Sequence, residues 1–226
     1  TGEAITQRNY NSFNELSSYE NAQGNKWTLR YLSKHKNGSK QNVRQKIETD
    51  PNNHQIKTTY DSLGKVSTIE RVDSLGLILD SQSFFYDKAG NKSRLSHQVY
   101  YGGTPDKDIS TIWEYGPLNR LEKMREGAGS KEEKISRYFF DIAGRLCRSR
   151  KPNGIELFYS YDGAGRRASL SSSDKSIHYK YSYDNKNRPV AVNDLVNSRL
   201  ETYQYDELGF LTRTTLANSL EILFEL

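Results

Sequence analysis

A chain of 226 residues allows one large domain or two small ones, and with an apolar fraction of only 34% it carries little material for a conventional core. Leu, Ile, Val and Phe make up 48 residues, about 21%, just above the level of about 20% below which charged chains stay disordered; sixteen tyrosines, each with an apolar body and a polar tip, supply the missing bulk. The net charge of +5 excludes little, but no stretch approaches the roughly 18 apolar residues of a spanning helix, so no membrane span is expected, and one cysteine, Cys147, excludes an internal disulfide framework.

The charge is unevenly spread: residues 137 to 188 hold 11 basic and 5 acidic groups, whereas residues 201 to 226 hold 1 basic and 5 acidic. This reads first as a solvated face, with anionic glycan or nucleic acid a secondary reading and nucleic acid the weaker of the two. The chain opens Thr1-Gly2-Glu3 with neither Met nor a signal peptide, which reads as a piece of a longer product.

In chain order, the first recognisable element is Tyr10-Asn11-Ser12-Phe13-Asn14, a degenerate copy of a motif that recurs along the chain, and Tyr31 with Asn37-Gly38 reads as a decayed second copy. Tyr60-Asp61-Ser62-Leu63-Gly64 and Tyr86-Asp87-Lys88-Ala89-Gly90 are clear, Tyr115-Gly116-Pro117-Leu118-Asn119 is degenerate, and Phe140-Asp141-Ile142-Ala143-Gly144-Arg145 restores the pattern. Then come Tyr161-Asp162-Gly163-Ala164-Gly165-Arg166, Tyr183-Asp184-Asn185-Lys186-Asn187-Arg188 and Tyr205-Asp206-Glu207-Leu208-Gly209. From Tyr60 onward the spacings are 26, 29, 25, 21, 22 and 22 residues, one architecture throughout with no domain boundary between 1 and 226. The clear repeats cover 56 to 215, degenerate ones 1 to 55, and a terminal strand 216 to 226.

Ahead of each aspartate the chain alternates. Ile177, Tyr179, Tyr181 and Tyr183 fall on one side of an extended segment, with His178, Lys180 and Ser182 on the other, which predicts strands. Asp at the first turn position accepts backbone N–H groups, and Gly or Asn three residues later takes the positive φ that closes a type I turn with a bulge. Each repeat is therefore a β-hairpin of about 20 residues. Eight repeats give about 16 strands, and because a lone hairpin is marginal in water they must pair edge to edge into one antiparallel sheet that curls.

The motifs Tyr60-Asp61-x-x-Gly64, Tyr86-Asp87-x-x-Gly90, Phe140-Asp141-x-x-Gly144-Arg145, Tyr161-Asp162-x-x-Gly165-Arg166 and Tyr205-Asp206-x-x-Gly209 resemble the YD-repeat, or Rhs-repeat, family. The resemblance implies an all-β, spiralling segment of a shell wall, such as encloses the toxin domain of bacterial polymorphic toxins and insecticidal toxin complexes or serves adhesion in teneurins. It implies a non-catalytic module, exported or displayed at the cell surface, whose partners are the rest of a larger YD-repeat polypeptide or an enclosed toxin. The family's self-cleavage motif, Asp-Pro-x-Gly-Leu, has no counterpart: Asp50-Pro51 continues as Asn52-Asn53-His54.

No enzyme can be assembled from these residues. The six motif aspartates share one sequence context, whereas acid–base catalysis needs a pair in different environments. Gly127-Ala128-Gly129-Ser130-Lys131 lacks the spacing of a phosphate loop, and His35, His54, His97 and His178 have no metal-ligand spacing. No metal and no cofactor is expected. Arg145 and Arg166, with Lys65 in the same position, can pair with corner carboxylates or stack on the next repeat's tyrosine. Arg148, Arg150 and Lys151 form the best candidate surface for an acidic partner, and Tyr179 and Tyr181 would offer a carbohydrate surface if they did not pack inward in a tyrosine ladder. The apolar Leu220–Phe224 segment is expected to self-associate through its edge. The alternative to a wall segment is an adhesion module that binds a glycan or a host surface protein through the tyrosine-rich and Arg/Lys surfaces.

Overall fold

The computed structural model describes residues 5–37 and 40–224; residues 1–4, 38–39 and 225–226, including Gly38 of the second repeat and the end of the terminal segment, lie outside the described residues. By internal contacts the chain falls into two compact units. One holds the described residues up to Asn119 together with Arg125–Glu133, the other Arg120–Met124 together with those from Lys134 onward.

The first unit contains β1 (Ile5–Tyr10), β2 (Leu16–Asn21), β3 (Lys26–Lys36), β4 (Asn42–Thr49), β5 (Gln55–Tyr60), β6 (Val66–Val72), β7 (Ile78–Tyr86), β8 (Lys92–Tyr101) and β9 (Thr104–Tyr115). A single 3-10 turn, Pro117–Asn119, leads to β10 (Leu121–Glu126), whose residues are divided between the units. The second unit continues with β11 (Lys134–Phe140), β12 (Leu146–Arg150), β13 (Glu156–Tyr161), β14 (Arg167–Ser172), β15 (His178–Tyr183), β16 (Pro189–Asp194), β17 (Arg199–Tyr205), β18 (Leu211–Thr215) and β19 (Glu221–Leu223). Within each unit every strand pairs antiparallel with the next in sequence, so each is a run of tandem hairpins. The fold is all-β. The described residues form nineteen strands: two for each of the eight readable repeats, two more, β3 and β4, from the decayed copy at Tyr31, and the terminal β19.

Within each unit strands make substantial contact only with their sheet neighbours, so each unit is a single layer. Among the described residues only two apolar side chains, Val43 and Val72, are buried, whereas the buried polar ones include Ser18, Thr59, Ser149, Ser172 and Thr214. Small hydroxyl residues let the sheet close around them at little volume, and half-buried tyrosines cover them: Ser149 Oγ lies 3.3 Å from the Tyr159 hydroxyl. Stability in such a layer comes from backbone pairing and from what joins neighbouring hairpins rather than from a core.

One corner recurs. At Asp61 the N–H of the first residue donates to the carbonyl four residues on, Lys65 O at 2.7 Å, and the N–H of the fourth, Gly64, donates back to Asp61 O at 3.1 Å. The same pair of bonds closes the chain at Asp141, Asp162, Asp184 and Asp206. The fourth residue needs positive φ, +79° at Gly64 and +66° at Asn187, where asparagine tolerates the left-handed region. After each such corner the register slips by one residue: Thr59 pairs with Thr68 but Tyr60 with Val66, and Phe139 pairs with Arg148 but Phe140 with Leu146. The unpaired residue of each bulge is Ser67 and Cys147 respectively.

Candidate functional site

In each repeat the aspartate Oδ1 caps the corner by accepting backbone N–H groups two and four residues ahead. Asp162 Oδ1 accepts from Ala164 N at 3.0 Å and Arg166 N at 2.9 Å, and Asp184 Oδ1 from Lys186 N at 2.8 Å and Arg188 N at 2.9 Å. Asp61, Asp87, Asp141 and Asp206 accept from the residue four ahead in the same way.

At Asp141, Asp162 and Asp184 in the second unit the second carboxylate oxygen holds the residue that follows the corner, which is arginine in all three, whereas Phe210 follows Asp206. Arg166 Nε donates to Asp162 Oδ2 at 2.7 Å, its Nη1 reaches forward to Asp184 O at 3.1 Å and Asn187 Oδ1 at 2.9 Å, and its guanidinium lies 4.6 Å from the Tyr183 ring centroid. Arg188 repeats the arrangement, with Asp184 Oδ2 at 2.6 Å, Asp206 O at 3.3 Å and Tyr205 at 4.5 Å, and Arg145 holds Asp141 Oδ2 at 2.8 Å while stacking 4.6 Å over Tyr161. Each stacked tyrosine donates its hydroxyl back to the preceding hairpin, Tyr161 to Leu146 O, Tyr183 to Arg167 O and Tyr205 to Pro189 O at 2.8 to 3.0 Å. One arginine thus bonds its own corner, the next corner and the next tyrosine at once.

Tyrosines of adjacent repeats sit two strands apart, about 10 Å, beyond the 4.5–7 Å of ring pairing. The arginine fills that gap. This is why the tyrosine ladder anticipated from the sequence is replaced by alternating cation and ring; the ring pair that does stack directly, Tyr19 with Trp27 at 5.1 Å, joins adjacent strands. Tyr183 stacks in this way, while Tyr179 and Tyr181 remain half-buried on the same face.

The carboxylates respond. The side chain and then the backbone N–H of Arg166 hold the Asp162 carboxyl below its ordinary value, and the backbone N–H of Arg145, followed by its side chain, does the same for Asp141. In the first unit Lys65 occupies the arginine position: its Nζ donates to Gly90 O at 2.7 Å and lies 4.8 Å from the Tyr86 ring. Burial and then the Asp61 carboxylate push the Tyr86 hydroxyl up. A Cβ on Gly90 would collide with Lys65 Nζ, and one on Gly144 with the Arg120 guanidinium, so these glycines serve the approach of the previous repeat's cation as well as the turn. Tyr31, six residues ahead of its corner, still donates to Leu16 O at 3.2 Å and lies 5.3 Å under Arg44.

The bulge residue was the part sequence reasoning missed. Ser67 Oγ, Cys147 Sγ and Thr212 Oγ1 each donate to the carbonyl eight residues back, at 3.1, 3.3 and 3.2 Å. The signal was the recurrence of a small side chain six positions after the corner aspartate.

The sheet does not assemble Arg148, Arg150, Tyr179 and Tyr181 into one surface. Cross-strand partners share a face: Arg148 pairs with Phe158, Phe158 with Ser171 and Ser171 with His178, whereas Tyr179 pairs with Leu170. The arginines and the two tyrosines therefore face opposite ways. Arg148 lies 4.0 Å over Phe139 and 3.6 Å from Glu156, while Arg150 and Lys151 are exposed. Among the described residues no three His, Cys, Asp or Glu side chains gather as metal ligands, and no helix is long and apolar enough to cross a membrane.

Tandem antiparallel hairpins, closed by Tyr-Asp-x-x-Gly corners and tied one to the next, make up the sheet. In structure the chain is similar to TcdB2-TccC3 without its hypervariable C-terminal region, with a TM-score of 0.57 and 15% identity over 92% of this chain and 11% of that one. A looser likeness, TM-score 0.46 at 14% identity, is to the Photorhabdus luminescens Tc holotoxin pore, over 92% of this chain and 12% of that one. No family model and no curated protein matches the sequence. At 15% identity the first likeness speaks to fold, and this chain spans about a ninth of the length of that solved chain.

Proposed function

We propose that residues 1–226 serve as one non-catalytic wall segment of a larger, exported or surface-displayed YD-repeat polypeptide of the kind that encloses a toxin domain. The observation that carries the reading is the Arg–Asp–Tyr bridge, which runs through consecutive corners at Asp141, Asp162 and Asp184 and commits each repeat's charged and aromatic side chains to the next. Such a design lengthens by repetition and builds area rather than a pocket. The similarity in fold to a stretch of TcdB2-TccC3 supports it.

Cryo-electron microscopy of the complete polypeptide that contains these residues tests the reading. The expected result is a hollow sheet with residues 5–224 in its wall. Finding them folded apart as an independent appendage would contradict it.

A further inference from the structure

The second unit contains one place that breaks two rules the rest of it obeys. Arg137 on β11 stands directly opposite Arg150 on β12. Like charges facing each other across an antiparallel pair are destabilising, and neither guanidinium has a carboxylate within ion-pair distance among the described residues. Glu156, which faces Arg150 on the next strand, directs its Oε2 to Arg148 at 3.6 Å.

The second rule concerns the reversal after β12. It has the standard corner bonds, Lys151 N to Ile155 O at 2.8 Å and Gly154 N to Lys151 O at 3.0 Å, yet an ammonium stands where Asp141, Asp162, Asp184 and Asp206 place a capping carboxylate. Only Asn153 Oδ1 partly compensates, accepting Ile155 N at 3.1 Å. The corners at Ser172 and Leu216 on the same edge open with uncharged residues.

The two departures converge. Arg137, Arg150 and Lys151 line one cleft of about 260 Å³ with Ile135, Pro152 and Gly154. Local rules broken together, with no carboxylate balancing the opposed arginines, mark a place kept for something other than stability. The geometry points to an anion site in which Arg137, Arg150 and Lys151 hold a sulfate or phosphate ester group, the arginines through paired N–H donors and the lysine as a point charge. The ligand presents a single such group: the residue facing Arg150 on the next strand is the carboxylate Glu156, so no basic track for a phosphate backbone leads away from the cleft across β13. The inference stands independently of the wall reading.

The test is titration of the 226-residue protein at low salt with sodium sulfate, sodium phosphate and a sulfated disaccharide, followed by amide NMR shifts. Saturable shifts centred on Arg150–Gly154 are expected, with affinity at least tenfold weaker in Arg137→Gln/Arg150→Gln and unchanged in Lys180→Gln on the same face. Tighter binding of the disaccharide than of the inorganic ions assigns the site to a sulfated glycan; equal binding assigns it to free oxyanions. The unliganded double variant should melt no lower than the parent, since its opposed charges are gone. Absence of saturable shifts with all three probes, binding that survives the double substitution, or a double variant that melts several degrees lower would overturn the site.

Discussion

The two units build the same corner but join hairpins differently. In the first, an Asx side chain caps reversals at both ends of the strands: Asn11, Asp61 and Asp87 at one end, Asn21, Asp50 and Asp73 at the other. In the second, one end alone carries the arginine bridges, while at the other Asp194 caps its own turn but the reversals at Lys151, Ser172 and Leu216 open without a carboxylate. A cap satisfies the backbone of a single hairpin, whereas a bridge couples two. The comparison teaches that Asp73 and Asp162, alike in backbone geometry, should differ in what they stabilise.

The largest contrast is expected on removing the carboxylate. Asp162→Ala loses two capped N–H groups, an ion pair and the orientation of Arg166, and should cost clearly more than Asp73→Ala, which loses only its bonds to Leu75 N and Leu77 N, about 1–2 kcal/mol. Urea unfolding of the two variants checks the order, and equal losses would break the distinction. A smaller effect should follow from Gly144→Ala, which combines a residue at φ +83° with a clash against Arg120; about 2 kcal/mol is expected, against about 1 kcal/mol for Gly64→Ala, where an added Cβ meets nothing. Smaller again, Asp→Asn should be nearly neutral at Asp73, because Asn11 and Asn21 already do that work, but should lower the urea midpoint measurably at Asp162, which loses its ion pair with Arg166.

Acid gives a further test. The Asp141 and Asp162 carboxyls are held below their ordinary value, so their contribution is present above the unfolded value near pH 4 and is lost as pH falls through the folded one. Melting temperature should therefore drop below about pH 4, and Asp141→Asn/Asp162→Asn should flatten that drop; an unchanged acid profile would contradict the bridges. The smallest effect is expected at Cys147: Ser67 and Thr212 perform its hydrogen bond in other repeats, so Cys147→Ser should shift stability by less than about 0.5 kcal/mol, read by the same urea titration.

What the sequence disclosed depends on where its signals are local. Asp61, Asp87, Asp141, Asp162, Asp184 and Asp206 are legible because one side chain and a glycine or asparagine three positions along fix a turn within the motif itself, and alternation such as Tyr179-Lys180-Tyr181 fixes the strands. The reversal at Lys151 is legible through Asn153-Gly154, but those at Ser172 and Leu216 were not, since the backbone bonds that close them require no particular side chain at the first position. The bridges were half legible: Arg166 could be seen to suit either its carboxylate or a neighbouring ring, but that it holds both depends on the two-strand gap between Tyr161 and Tyr183, a distance set by sheet geometry. The opposite facing of Arg150 and Tyr181 likewise depends on registers through three strand pairs, which no local sequence signal fixes.

The central claim, that arginine couples one hairpin to the next in place of a core, is tested most directly by a double-mutant cycle on Arg166 and Tyr183 measured by urea unfolding. With Arg166→Ala, Tyr183→Leu and the double variant, a coupling of about 1 kcal/mol is predicted for residues in one network. Additivity to within about 0.3 kcal/mol would contradict it.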